Sequence, residues 1–272
     1  MTDETNTTGD REAFLMSYED SCDRVPVLWI HGYPLSNLLW DFQIDGLADV
    51  CRLLTPDLRG HGGSEATEPP YSVGTFADDC ADLLDHLGVT GPVVVAGLSM
   101  GGYIAFEFYR RYPERVAGMI LAATRAGADS DEGKINRDKA AGVAIAEGVE
   151  VVVDGMLPKL LAPDNLVEQE DMVEFVREMM LATAEDGMVG ALTAMRDRPD
   201  STPLLAKIDV PVLIVHGEED QLIPVSEAQS MQDAIPGSEL VIVPAAGHLP
   251  NLEQPEVFND AVRGYLEQFY EE

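Results

Sequence analysis

Residues 93–106 read VVVAGLSMGGYIAF. The valine run is apolar without alternation, as a strand buried on both faces of a parallel sheet requires. It stops at Gly97. Ser99 then stands among small residues, and a helical stretch follows with Ile104 and Phe108 as its apolar positions and Pro113 as its terminator. Residues 97–101, GLSMG, fit the pattern G-x-S-x-G. There a serine occupies a strand-to-helix turn so crowded that its neighbours must be small. The turn lifts the hydroxyl above the sheet edge and aims the N–H of the next residue, Met100, into the same space. A dinucleotide or phosphate loop would also join strand to helix. GLSMGG lacks the G-x-G-x-x-G spacing, and G-x-x-x-x-G-K-[ST] occurs nowhere in the chain.

A serine hydroxyl is a poor nucleophile at neutral pH and needs a base. The chain has five histidines. On the scaffold that carries this turn, the chain order is serine, acid, histidine. Only His248, in VPAAGHLPNLEQP just past a strand, lies downstream of a plausible acid. For the acid, HGEEDQLIP (216–224) offers Glu218, Glu219 and Asp220. Asp220 is the choice, since its short side chain beside Leu222, Ile223 and Pro224 is the easiest to hold in one rotamer. The two glutamates read as solvated charges. Asp57, at the end of CRLLTP, precedes the serine and reads as a structural turn residue. A second oxyanion donor is expected from the loop after an early strand. WIHGYPLS (29–36) fits, with His31 and Gly32 making the turn and the Tyr33 N–H facing the site. His31 reads as a turn-stabilising group, and His61 and His86 as loop or surface residues. No H-E-x-x-H spacing links the histidines, and the chemistry calls for no metal and no cofactor.

Away from the serine, β-branched runs alternate with amphipathic helical stretches, the pattern of a mostly parallel sheet covered by helices. Strands are expected at 14–19, 25–31, 51–56, 92–97, 116–122, 210–216 and 239–244. TFADDCADLLDHLG (75–88) places Phe76, Cys80, Leu83, Leu84 and Leu87 on one helical face, with Thr75 and Asp78 as a capping box and Gly88 as a stop. The last helix repeats the pattern with Val257, Phe258, Ala261, Val262, Leu266 and Phe269. VPVLWIHG (25–32) and VPVLIVHG (210–217) are nearly the same string, as two buried strands leaving one sheet edge would be. Residues 125–200 interrupt the alternation. They are rich in Asp, Glu, Met and Ala, carry one valine run (149–155), and read as several short helices roofing the sheet. The expected organisation is a loose acidic terminus over 1–12, a core formed by 13–124 and 201–272, and a helical cap inserted at 125–200.

Composition bounds what such a chain does. Its 272 residues are 46% apolar, enough for one large α/β domain. No apolar run approaches the roughly 18 residues of a membrane span. Forty-nine acidic residues face 17 basic ones, of which four are lysines. That field repels nucleic acid and anionic membranes. With lysine so scarce, it reads as adaptation to a salty cytoplasm, where screening silences self-repulsion. Three cysteines without C-x-x-C spacing read as reduced thiols and a cytoplasmic location.

HGYP, DLRGHGGS, GLSMGG, HGEEDQLIP and GHLPNLEQP, in this order, make the chain resemble the α/β-hydrolase superfamily from about residue 14 to its end. Within it the chain looks most like the small esterases that include 3-oxoadipate enol-lactonases and cofactor-free haloperoxidases. RPDSTPLLAKIDVPVL (198–213) is similar to the lactonase-like members. Dehalogenases and epoxide hydrolases of the superfamily use an aspartate where this chain has Ser99. The resemblance implies a nucleophile, acid and base at Ser99, Asp220 and His248, with oxyanion amides at Tyr33 and Met100. It also implies acyl transfer from a small ester or lactone to water. A perhydrolase or acyltransferase would use the same residues with another acceptor. A ligand receptor on this scaffold would have no use for all three groups.

Overall fold

The computed structural model describes residues 3–6, 14–21 and 24–269. An eight-stranded sheet forms its centre, in the order β1-β2-β4-β3-β5-β6-β7-β8. The strands are β1 (Asp3–Asn6), β2 (Leu15–Asp20), β3 (Pro26–Ile30), β4 (Arg52–Pro56), β5 (Val93–Leu98), β6 (Val116–Ala122), β7 (Val212–Gly217) and β8 (Glu239–Val243). β1 and β2 pair antiparallel and every pair from β3 to β8 is parallel. All seven expected strands are present, each within two residues of its expected ends. β1 is an addition, pairing with β2 where a loose terminus was expected. The rest of residues 1–12 lies outside the described residues, as does Cys22. Cys51 and Cys80 are buried, and burial pushes the Cys80 thiol up.

Every residue of β5 and β7 is buried, which is why both read as unbroken apolar runs. The near-duplicate strings form β3 and β7, parallel strands that emerge at one sheet edge. Helices flank the sheet. The core helices are α1 (Asp41–Leu47), α2 (Val73–His86) and α3 (Met100–Arg111). Residues 125–200 then carry α4 (Asp131–Glu147), α5 (Val149–Met156), α6 (Asn165–Glu168), α7 (Glu170–Leu181) and α8 (Glu185–Arg196). The chain closes with α9 (Thr202–Leu205), α10 (Val225–Ala234), α11 (Pro250–Glu253) and α12 (Pro255–Leu266). The valine run 149–155 is therefore helical, and Val153 is its buried member.

Two local expectations change. α2 is capped by Ser72, whose hydroxyl accepts from the Thr75 N–H at 3.0 Å, not by a Thr75–Asp78 box. Asp78 instead accepts from Arg111 and from the Tyr112 hydroxyl on the neighbouring helix end. Gly88, at φ +67°, stops the helix as its left-handed conformation requires. In α12 the buried stripe is Phe258, Val262, Tyr265 and Leu266, while Val257 is 37% exposed. Spacings of three and four carry the stripe past Val257, one residue off that face.

The helices of 125–200 share one continuous core with the sheet, through Ala144, Val153, Val176, Met180 and Met188. The Ala184 N–H donates to the Gly60 carbonyl at 2.9 Å, and the Thr183 hydroxyl to the Pro34 carbonyl at 3.0 Å. This segment is sewn onto the loops after β3 and β4, not folded apart from them.

Candidate active site

Ser99, the residue after β5, stands at φ 55° and ψ −111°, a conformation unfavourable for a residue with a Cβ. Neighbours hold it there. The Ser99 N–H donates to the Ala122 carbonyl at 2.9 Å, and the Thr124 hydroxyl donates to the Ser99 carbonyl at 2.8 Å. The flanking glycines are set by close backbone approach. A Cβ on Gly97 would collide with the Gly101 carbonyl, and one on Gly101 with the Ile30 carbonyl. Met100 opens α3, so its N–H is among those with no intrahelical acceptor. Gly32 lies against this turn, since a Cβ there would sit 3.4 Å from that of Ser99. The turn bond of that loop runs from the Leu35 N–H to the Gly32 carbonyl and does not use the Tyr33 amide.

Asp220 and His248 meet at the same edge. His248 Nδ1 donates to Asp220 Oδ2 at 2.7 Å, and both side chains are buried. The other carboxylate oxygen accepts from the Leu222 and Ile223 amides at 2.8 and 3.0 Å. Burial pushes the Asp220 carboxyl up, but His248 and these amides outweigh it and hold it below the usual range. Glu218 and Glu219 are exposed. Tyr33, Ser99 and His248 line one cavity of about 480 Å³. Its other walls come largely from 125–200, including Met156 of α5 and Met195 of α8. Met179, Met180 and Met188 are instead buried in helix packing.

Asp57, His31 and His61 are held in loop contacts of their own. Asp57 accepts from the Asn37 and Gly63 amides at 2.7 and 2.8 Å, tying two loops together. His31 is buried, and its Nε2 accepts from the Leu58 N–H at 2.9 Å. His86 is exposed on α2. His61 was expected at a loop or the surface. It is in a loop but fully buried, with Nδ1 donating to the Arg59 carbonyl at 3.0 Å and its ring 5.1 Å from that of His31.

Two site residues escaped the sequence reading. His216, the last residue but one of β7, lies beneath Asp220, its Nε2 donating to the Ile223 carbonyl at 2.8 Å and standing 3.4 Å from Asp220 Oδ2. Glu253 in α11 is buried and accepts four N–H donors. They are the Gly247 and Leu249 amides on either side of His248, at 2.8 and 3.3 Å, and Ala162 and Asn165 at 2.7 Å each. It straps the His248 loop to the inserted helices, as does the bond from the His248 N–H to the Leu160 carbonyl at 2.9 Å. Both residues stand in the motif stretches 216–224 and 247–255, but nothing in residue type or spacing distinguishes Glu253 as a buried brace from a surface charge.

This architecture and site place the chain in a known class. It belongs to the α/β-hydrolase fold family, whose model matches residues 25–255. Among solved structures it is similar to a thermophilic esterase from Thermogutta terrifontis, determined with malate bound. The two are 39% identical with a TM-score of 0.95, over 98% of each chain. A putative 2-succinyl-6-hydroxy-2,4-cyclohexadiene-1-carboxylate synthase of Bacillus subtilis is 31% identical, over 96% of this chain and 97% of its own. The 3-oxoadipate enol-lactonase 2 of Acinetobacter baylyi is 27% identical, over 91% of this chain and 90% of its own. Among the described residues no helix is long and apolar enough to cross a membrane.

Proposed function

We propose that the protein hydrolyses a small carboxylic ester or lactone through an acyl-enzyme on Ser99. The observation that carries this reading is the 2.7 Å bond from His248 Nδ1 to a buried Asp220, beside a cavity that both Ser99 and His248 line. That bond fixes the tautomer with the proton on Nδ1 and leaves Nε2 as the base. His248 Nε2 takes the Ser99 proton as Oγ attacks the carbonyl carbon. The Met100 and Tyr33 amides hold the oxyanion. The adduct collapses, the C–O bond to the leaving alcohol breaks, and His248 returns the proton to that oxygen. Water then attacks the acyl-enzyme with His248 again as base, releasing the acid and restoring Ser99. The relatives named as esterase and enol-lactonase support the same substrate classes.

A hydrolysis screen across ester chain lengths and lactones, with Ser99→Ala as control, tests this reading. Turnover of at least one class by the native protein, lost in Ser99→Ala, is the expected result. Equal turnover by both proteins would refute it.

A further inference from the structure

We propose that the cavity beside Ser99 holds an anion subsite, so that the substrate carries a carboxylate remote from the ester or lactone bond that reacts. The subsite rests on the hydrolase reading above and deepens it. It begins from a reversal of charge. The chain has 49 acidic and 17 basic residues, yet Arg125, Arg137 and Lys159 line this cavity with Asp129 as the one carboxylate among its lining residues.

Asp129 does not neutralise them. Its side chain is 1% exposed, and it is shared by three guanidinium groups, Arg125 at 2.7 Å, Arg137 at 3.1 Å and Arg198 at 2.7 Å. Arg198 is itself buried, its guanidinium carbon 4.1 Å from the centre of the Tyr103 ring, so water does little to screen its charge. Three cations on one carboxylate leave two positive charges uncompensated, and Lys159 adds another.

Donors without acceptors point the same way. The Tyr33 hydroxyl is buried, belongs to the cavity lining, and finds no hydrogen-bond partner among the described residues. Arg125 Nε is in the same position. Buried donors of this kind ordinarily find partners. Burial pushes the Tyr33 phenol up, and the charge of Arg137 is near enough to pull against it. A carboxylate supplies the missing acceptors and matches the planar guanidinium groups. The cluster is fixed relative to the serine, because Arg125 follows Thr124, whose hydroxyl donates to the Ser99 carbonyl at 2.8 Å.

The test compares kcat/KM, by titration of released acid, for monomethyl and dimethyl succinate, glutarate and adipate. The monoester is an anion and the diester its neutral counterpart. For at least one chain length the native protein should favour the monoester about tenfold or more, against the repulsion of an acidic surface. Arg137→Met should lower that preference about tenfold. Lys159→Met, at an exposed position with no ion pair among the described residues, should lower it in the same direction and serves if Arg137→Met fails to fold. A native preference for the diester at every length, or a ratio unmoved in both variants, would overturn the subsite. If Ser99→Ala then abolished diester hydrolysis, the serine reading would stand without it. Turnover surviving in Ser99→Ala would instead sink the serine reading itself.

Discussion

Ser99→Ala, His248→Ala and Asp220→Asn are each expected to lower kcat on an ester substrate by about 10⁴-fold or more with the fold retained, by the scale seen in other serine hydrolases. The reason is specific to each atom. Without Oγ there is no acyl-enzyme. Without the imidazole nothing takes the proton. With an amide in place of the carboxylate, one oxygen still accepts from Leu222 and Ile223, and the amide nitrogen then faces His248 Nδ1, where a donor selects the wrong tautomer. The triple variant should be little worse than Ser99→Ala, because the three groups act as a unit. Steady-state kinetics beside circular dichroism decides the matter. Near-normal turnover in Asp220→Asn, with loss in a Glu218 or Glu219 variant, would mean that the acid lies elsewhere on the loop.

Acid is expected to destabilise the protein well above the carboxylate range. Burial pushes His31 well below its ordinary value, His61 down to about 4, and His216 down as well. The folded protein keeps all three neutral while the unfolded chain protonates them below about pH 6.5. A base whose folded pKa is depressed contributes fully above its unfolded pKa and progressively less as the pH falls. The loss therefore runs from about pH 6.5 towards 4. Three protons correspond to at most about 4 kcal/mol per pH unit, a large share of a domain's stability. Asp57 and Glu253, which burial pushes up, act in the opposite direction and offset part of this. Urea midpoints at pH 7, 6 and 5 in constant salt should fall steadily. A midpoint that holds or rises from pH 7 to 5 would contradict the assignment of neutral buried histidines.

The sheet was legible because parallel strands buried on both faces leave unbroken apolar runs rich in β-branched residues, such as 93–96 and 212–215. The serine turn was legible because backbone contact leaves room only for glycine at 97 and 101. Asp220 and His248 followed from chain order, and the structure brings them together. His61 and His216 were not legible as buried. A histidine in a polar-looking loop carries no sign of the packing that removes its water. The near-repeat that ends in His31–Gly32 and His216–Gly217 was the available signal, since both histidines occupy one sheet edge and neither is exposed. The cluster of Arg125, Asp129, Arg137 and Arg198 was beyond reading, because four residues spread over some seventy positions share no spacing and meet only when α4 folds over the loop after β6. Ser72 won the cap from Thr75 because α2 begins at Val73, two residues before Thr75.

The central claim is a covalent intermediate on one serine. Intact-mass measurement after exposure to a 4-nitrophenyl phosphonate, which transfers phosphorus to an activated serine and cannot be cleared by water, tests it most directly. One adduct per chain is expected, located by peptide mapping to Ser99 and absent from Ser99→Ala and His248→Ala. An adduct on another residue, or ester turnover that continues undiminished once Ser99 is fully modified, would contradict it.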